Sequence, residues 1–323
     1  MKLLVTGANG FVGNAAARHL ARNHHVLGQV RTRVQADLLL NSELPEQQIL
    51  GLQVDLTDIS GFTDALQGCH AVLHCAARVH QVRETAADPL AIYRQVNRDA
   101  TLALARAAAH AGVKRFVFLS SIKVHGEFSP ADKAFRPDDV VQPLDPYGMS
   151  KFEAEQGLKV IAAQTGMQVV IVRPPLVYGP GVKANFLSMM RWLQRGMPLP
   201  LGAIGNQRSL IGLGNLVDLL EQCLTHPAAA NQTFLASDGH DVSTTELLQA
   251  MAAALHVKAR LWPVPQAWLE GALGLIGRRG MAQRLCGNLA VDISHTRATL
   301  GWTPPQYLEQ GLQATAAHFL AQR

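Results

Sequence analysis

A run of apolar residues, Leu3 to Thr6, stops at Gly7, and glycine returns at Gly10 and Gly13 in Thr6-Gly7-Ala8-Asn9-Gly10-Phe11-Val12-Gly13. A strand that ends in a glycine turn and reopens as a helix gathers unpaired backbone N–H groups and the positive end of the helix dipole at one point. Glycines at such a turn allow the sharp reversal and let a diphosphate approach the main chain. The spacing is G-x-x-G-x-x-G, one residue off the commoner G-x-G-x-x-G, but the physical demands are the same. It predicts a dinucleotide cradle in which Gly7, Asn9, Gly10, Phe11, Val12 and Gly13 face the pyrophosphate.

The chain that follows keeps alternating short apolar runs with helical stretches. Runs lie at His25–Val30, Leu52–Val54, Ala71–Cys75, Phe116–Leu119 and Val169–Val172; helical stretches lie at Phe11–Asn23, Ala87–Ala111 and Pro146–Thr165. Continuous Val/Ile/Leu runs between helices are the pattern of a parallel sheet covered on both faces. The pattern changes after Arg173-Pro174-Pro175, where Gly and Pro become frequent and loops lengthen. We place a domain transition there: residues 1–175 bind the dinucleotide, and residues 176–323 mainly hold the substrate, with some segments returning to the sheet.

Composition excludes several classes. Of the 323 residues 48% are apolar and only 16% charged, which rules out a largely disordered chain. The net charge of +5 includes no long Lys/Arg run, so no nucleic-acid partner is expected. The most apolar stretch, Trp268 to Gly277, is too short to span a bilayer and contains Glu270. No membrane partner is expected, and the reading is of a cytoplasmic protein. Cys69, Cys75, Cys223 and Cys286 form no CxxC pair and read as core thiols, so no metal site is expected.

The choice of dinucleotide turns on the end of the second run. A carboxylate there would bind the ribose 2′-hydroxyl of NAD. Here the residues are Arg31-Thr32-Arg33, and guanidinium groups suit a 2′-phosphate. NADP(H) is therefore favoured, with NAD(H) the alternative. Asp55, followed by Leu56, closes the third run and either meets the adenine or caps a helix.

Chemistry is carried by Tyr147-Gly148-Met149-Ser150-Lys151 at the start of a helix. Residues four apart share a helical face, and an ammonium beside a phenol stabilises the phenolate. Tyr147 can then exchange a proton with a sugar oxygen. Ser120-Ser121, at the carboxyl end of a run, supplies a hydroxyl where parallel sheets bind ligands.

Taken together, the three glycines, Cys75-Ala76-Ala77, Asn97, Ser120-Ser121 and Tyr147/Lys151 resemble the extended branch of the short-chain dehydrogenase/reductase superfamily. The pattern is most similar to the UDP-hexose 4-epimerase-like group. The resemblance covers essentially the whole chain, including Arg173-Pro174-Pro175-Leu176-Val177-Tyr178-Gly179-Pro180-Gly181 and Asn206-Gln207-Arg208-Ser209. It implies an α/β fold, a Rossmann-type doubly wound parallel sheet with a smaller C-terminal substrate-binding domain. It implies Ser121, Tyr147 and Lys151 as catalytic residues, with Cys75, Ala76, Ala77, Asn97 and Pro174 lining the cofactor. It implies Arg208 on the diphosphate of a UDP-linked sugar and Asn185 near the sugar. His80 and Lys123 are weaker candidates for substrate contact, and His125 stands where relatives often carry Tyr. His74 reads as a core histidine. A homodimer paired through the two long helices is also implied.

Dehydratases of this kind carry an Asp-Glu pair after the catalytic Ser/Thr, where this chain has Ile122-Lys123. Arg31 argues for an enzyme that draws NADPH from the pool. The segment Ser121 to Glu127 is similar to bacterial reductases of UDP-4-keto-6-deoxy-N-acetylhexosamine in surface-polysaccharide assembly. The main reading is therefore reduction of such a 4-keto sugar to a quinovosamine or fucosamine nucleotide. A UDP-sugar 4-epimerase with tightly held NAD is the alternative, and a non-enzymatic dinucleotide sensor is less favoured because Ser121, Tyr147 and Lys151 are all present.

Overall fold

The computed structural model describes residues 1–32, 49–79, 88–275 and 277–322. Two candidate site residues, Arg33 and His80, lie outside them. In chain order the strands are β1 (Lys2–Thr6), β2 (His25–Val30), β3 (Ile49–Gln53), β4 (Ala71–His74), β5 (Arg115–Leu119), β6 (Gln168–Arg173), β7 (Leu176–Tyr178), β8 (Arg208–Gly212), β9 (Thr233–Leu235) and β10 (Asp241–Val242). The helices are α1 (Phe11–Leu20), α2 (Thr63–Leu66), α3 (Pro89–Tyr93), α4 (Ala100–His110), α5 (Pro146–Thr165), α6 (Ala184–Gln194) and α7 (Leu213–Thr225). They continue as α8 (Thr244–Ala254), α9 (Gln266–Leu275), α10 (Arg279–Cys286), α11 (Ser294–Leu300) and α12 (Leu308–Ala321).

Alternate residues of β1 show how the layers form. Leu3 and Val5 pack with Ala16, Ala17 and Leu20 of α1 and Leu216, Leu219 and Leu220 of α7. Leu4, facing the other way, packs with Leu104, Ala105 and Ala108 of α4 and Leu158 and Ile161 of α5. The large sheet therefore has helices on both faces, as its apolar runs demand. Its order is β3-β2-β1-β4-β5-β6-β9, every pairing parallel. The order reverses between β1 and β4, and a crevice beyond the strand ends at such a point is where doubly wound sheets bind ligands.

The helix expected over 87–111 winds from Pro89 to His110, but with a π turn at Arg94–Asp99 between α3 and α4. α5 starts where expected: Asp145 caps it by accepting from Gly148 N at 2.6 Å, with Pro146 in the first turn. It stops at Gly166, whose φ of 74° is the left-handed conformation a helix end favours.

The C-terminal half does not stay apart. β7, β8 and β10 form a small separate sheet, and α6, α8 and α12 surround their own core of Phe186, Met190, Leu248 and Met251. Yet β9 joins the large sheet beside β6, and α7 covers α1. Among the described residues no helix is long and apolar enough to cross a membrane, and no cluster of three or more ligating side chains could hold a metal.

Candidate active site

The glycine turn is built as its spacing predicts. Gly7 has φ of 66°, and Gly10 N donates to Gly7 O at 2.8 Å. A Cβ on Gly13 would stand 2.2 Å from Gly7 O, and one on Gly7 would stand 2.9 Å from the Ala76 backbone. Gly13 is thus required by a close approach within the turn, and Gly7 by its positive φ and its approach to the chain after β4. Gly10 caps α1 without any side-chain hydrogen bond, and the first turn holds no acid. That helix end fits a dinucleotide pyrophosphate, which needs N–H donors and positive potential and tolerates no competing carboxylate.

Residues outside the motif hold the turn. The buried Gln29 side chain accepts from Gly7 N at 2.9 Å and donates to Val54 O at 2.6 Å, tying the ends of β1, β2 and β3 together. Thr6 Oγ1 lies 2.8 Å from His74 Nδ1 and accepts from Ala76 N at 3.2 Å, while His74 Nε2 meets Thr101 Oγ1 at 2.9 Å. His74 is therefore a satisfied core histidine, and burial pushes its pKa down to about 3. Cys75, just beyond β4, has its thiol pushed up to about 12 by burial, so it stays protonated. Gln29 had no local signal; it is a polar residue inside an apolar run.

At the end of β2, Arg31 is exposed. Asp55 accepts from Thr57 N at 2.9 Å and Thr57 Oγ1 at 2.6 Å. These bonds hold its carboxyl below the usual range, and the Arg31 charge adds a smaller lowering. Asp55 thus caps a turn, and Leu56 beside it is buried.

The catalytic candidates converge at the ends of β5 and α5. Ser121 caps a short 3-10 turn, Ile122–Val124, by accepting from Lys123 N at 3.2 Å. Its side chain also acts on the Tyr147 phenol, favouring the deprotonated form. Tyr147 is raised above its ordinary pKa, chiefly by burial and then by the Asp145 charge, with the Ser121 bond working the other way. Its ring meets Tyr93 edge-on at 6.2 Å. Lys151 is buried, donates to Leu119 O at 2.8 Å and sits 4.3 Å over the Phe118 ring. Burial lowers its pKa to about 8, opposed by Cys75 and Glu155.

Asn97 lies in the π turn and is fully buried. It accepts from Arg78 N at 2.8 Å and donates to Arg78 O at 3.1 Å and Ser150 Oγ at 3.0 Å. It thereby pins the strand-end loop after Ala76 and Ala77 to α5. Pro174 O accepts from Ile122 N at 2.9 Å, which fixes the 3-10 turn after Ser121.

The substrate candidates are distributed less simply. Lys123 Nζ is paired with Asp145 and, at 3.1 Å, with Glu127, so its charge is already answered. Arg208, on β8, donates Nη1 to Arg284 O and Gly287 O, both at 3.2 Å, and burial lowers its pKa. Asn185 is exposed in the first turn of α6.

A buried chain of polar groups beneath the site was not anticipated. Ser120 Oγ donates to Glu155 Oε1 at 2.5 Å, and Glu155 receives two bonds from Arg173, at 3.0 and 2.5 Å. Arg173 Nη1 then donates to His125 Nε2 at 2.8 Å. His125 stacks on Phe135 at 5.1 Å and is buried, and burial together with Arg173 lowers its pKa to about 4. Glu155 falls one helical turn after Lys151, a signal that spacing offered and that went unread.

The family model described as NAD dependent epimerase/dehydratase matches residues 3–236. The chain is 46% identical over 325 residues to a UDP-glucose 4-epimerase of Vibrio cholerae, covering 98% of this chain and 95% of that protein. It is 24% identical to an N-acetyl-α-D-glucosaminyl-diphospho-ditrans,octacis-undecaprenol 4-epimerase of Escherichia coli, covering 97% and 93%. Among solved structures, MoeE5 in complex with UDP-glucose and NAD superposes with a TM-score of 0.76 at 25% identity, over 100% of this chain and 99% of that one. The match spans the glycine turn, Ser121, Tyr147 and Lys151 in one frame, and the chain belongs to the NAD dependent epimerase/dehydratase family of enzymes.

Proposed function

We propose that this enzyme is a UDP-sugar 4-epimerase that works with bound NAD. The observation that carries the reading is the 46% identity to the Vibrio cholerae UDP-glucose 4-epimerase over nearly the full length. It favours the alternative over the 4-keto reductase, and MoeE5, with its NAD, favours NAD(H) over NADP(H).

The cofactor would be held by the turn from Gly7 to Gly13, by Ala76, Ala77 and Asn97 along its middle, and by Lys151 and Pro174 at the nicotinamide end. Bound there, the nicotinamide supplies hydride acceptance and return at the sugar C4. The chain does the rest. Tyr147, as phenolate, would take the proton of the C4 hydroxyl and, as phenol, give it back after the sugar has turned, so it must cycle between the two forms. Ser121, whose side chain acts on the phenol, would position the same oxygen and ease deprotonation. Lys151, with its pKa lowered to about 8, would carry its charge at neutral pH and is the residue that would donate to the ribose. Arg208 faces the diphosphate, a group that UDP-sugars share with polyprenyl-diphosphate sugars, and Asn185 lies toward the sugar. Lys123 contributes through Asp145 rather than through the substrate. Pairing of two chains through α4 and α5 is part of the proposal.

Reduction of a UDP-4-keto-6-deoxy-hexosamine remains the second reading, supported by Arg31 at the end of β2. Denaturing the purified protein and identifying the released nucleotide separates the two. Released NAD, with interconversion of UDP-glucose and UDP-galactose (or their N-acetyl forms) without added cofactor, is the expected result. An empty protein that oxidises NADPH with a UDP-4-keto sugar overturns it.

A further inference from the structure

We propose that α9 and α10 form an in-plane anchor that docks the enzyme on an anionic lipid bilayer. The inference stands apart from the choice of reaction. α9 (Gln266–Leu275) has no buried residue although most of its side chains are apolar. Its inner side is only half-covered: Leu269 touches the C-terminal core, and Leu273 is half-buried. Trp268, Ala272 and Leu275 are spaced i, i+4 and i+7, so they share one helical face. That face is open, with Trp268 74% and Leu275 91% exposed. α10 packs beside α9 and adds Met281, also exposed. Trp262, just before α9, is exposed too.

The charges around this face choose the occupant. Lys258, Arg260, Arg278 and Arg284 are all exposed, while the segment 256–286 has one acid, Glu270. Glu270 accepts from Gln266 and sits about 200° around the helix from Trp268, off the open face. A tryptophan and leucines framed by arginines are the composition of helices that lie in the headgroup region. A second copy of the chain would bring like charges together, whereas anionic headgroups answer them. Ten residues of α9 extend only about 15 Å, so the helix lies on a bilayer and does not cross it. The expectation of no membrane partner rested on the lack of a spanning segment, which this arrangement does not need. The anchor is continuous with the candidate substrate wall, because Arg284 O and Gly287 O, at the end of α10, accept from Arg208.

The test is co-sedimentation of the full-length protein with vesicles of phosphatidylethanolamine and phosphatidylglycerol, and with vesicles of phosphatidylcholine alone. Binding to the anionic vesicles, weakened by salt, is expected. The double variant Trp268→Glu/Leu275→Glu should bind about tenfold or more weakly, and Arg278→Gln about fivefold more weakly. Circular dichroism, and turnover of the soluble UDP-sugar that the wild type accepts, should be unchanged in both. Equal binding of the double variant, or no binding by the folded wild type, overturns the proposal. Loss of an oligomer in the double variant, without vesicle binding by the wild type, assigns the face to a second copy and overturns it as well.

Discussion

Ser120 and Ser121 are neighbours in the chain and opposite in surroundings. Ser120 is buried and donates to Glu155, which holds Arg173, which holds His125. The Ser121 side chain acts on the Tyr147 phenol, and Lys151, one turn along the same helix, has a main-chain carbonyl and the face of Phe118 for company. Beneath the strand ends, charges are matched and the side chains locked. Around Tyr147 and Lys151, burial shifts a phenol and an amine away from their ordinary pKa values, and Lys151 donates to a main-chain carbonyl rather than to a carboxylate. The contrast separates rigidity from reactivity. Glu155 joins the two regions, since its charge also reaches Lys151 and favours the ammonium form.

That division can be broken by substitution. Tyr147→Phe should cost about 10²–10⁴ in kcat, the usual value of a positioned proton donor, with little change in urea-induced unfolding. Glu155→Gln should do the reverse in kind. It leaves Arg173 buried without its counter-charge, a loss of about 3–5 kcal/mol in stability by the same unfolding measurement. If both variants lost stability alike, the surroundings of Tyr147 would be part of the frame and the contrast would fail.

The acid limb of stability sharpens the comparison further. His125 has a folded pKa of about 4, below the ordinary 6.5, so below 6.5 the unfolded chain binds a proton that the folded chain refuses. Its contribution is complete above pH 6.5 and is lost as pH falls through 4, a change of at most about 3 kcal/mol. Unfolding free energies measured from pH 7 to 4 should fall steeply, and His125→Phe should flatten the curve by up to one proton. An unchanged slope would mean that the histidine does not remain neutral under Arg173. The smallest effect belongs to Lys123→Met. A half-exposed ammonium already paired with Asp145 and Glu127 should contribute no more than about 1 kcal/mol to stability. The KM for UDP-sugar should move less than about threefold in steady-state assays, on the same small energy scale. A larger rise in KM would restore Lys123 as a substrate contact.

Local order decided what could be read early. The glycines of the first turn, the apolar runs of β1 to β6, and the Asp145-Pro146 start of α5 were legible because period, capping and positive φ are properties of a few adjacent residues. So was the placement of Tyr147 and Lys151 on one helix with Ser121 near its start. The π turn that presents Asn97 was not, because it interrupts a helix whose alanine-rich pattern shows no break. Arg31 favours NADP(H) by its chemistry alone, and the identity of one residue does not record where its side chain settles.

The sequence by itself determined the layers, the glycine turn and the grouping of Ser121, Tyr147 and Lys151 as candidates, since each depends on spacing within a few turns of chain. Only the tertiary structure decided that Gln29 ties three strand ends, that β9 returns to the large sheet, and that Arg173 reaches both Glu155 and His125. It also decided that Lys123 faces Asp145 and that the apolar stretch after Pro265 becomes an open helix. These outcomes join residues far apart along the chain. A buried polar group must find a partner wherever the fold brings one, and no local pattern records which one that is.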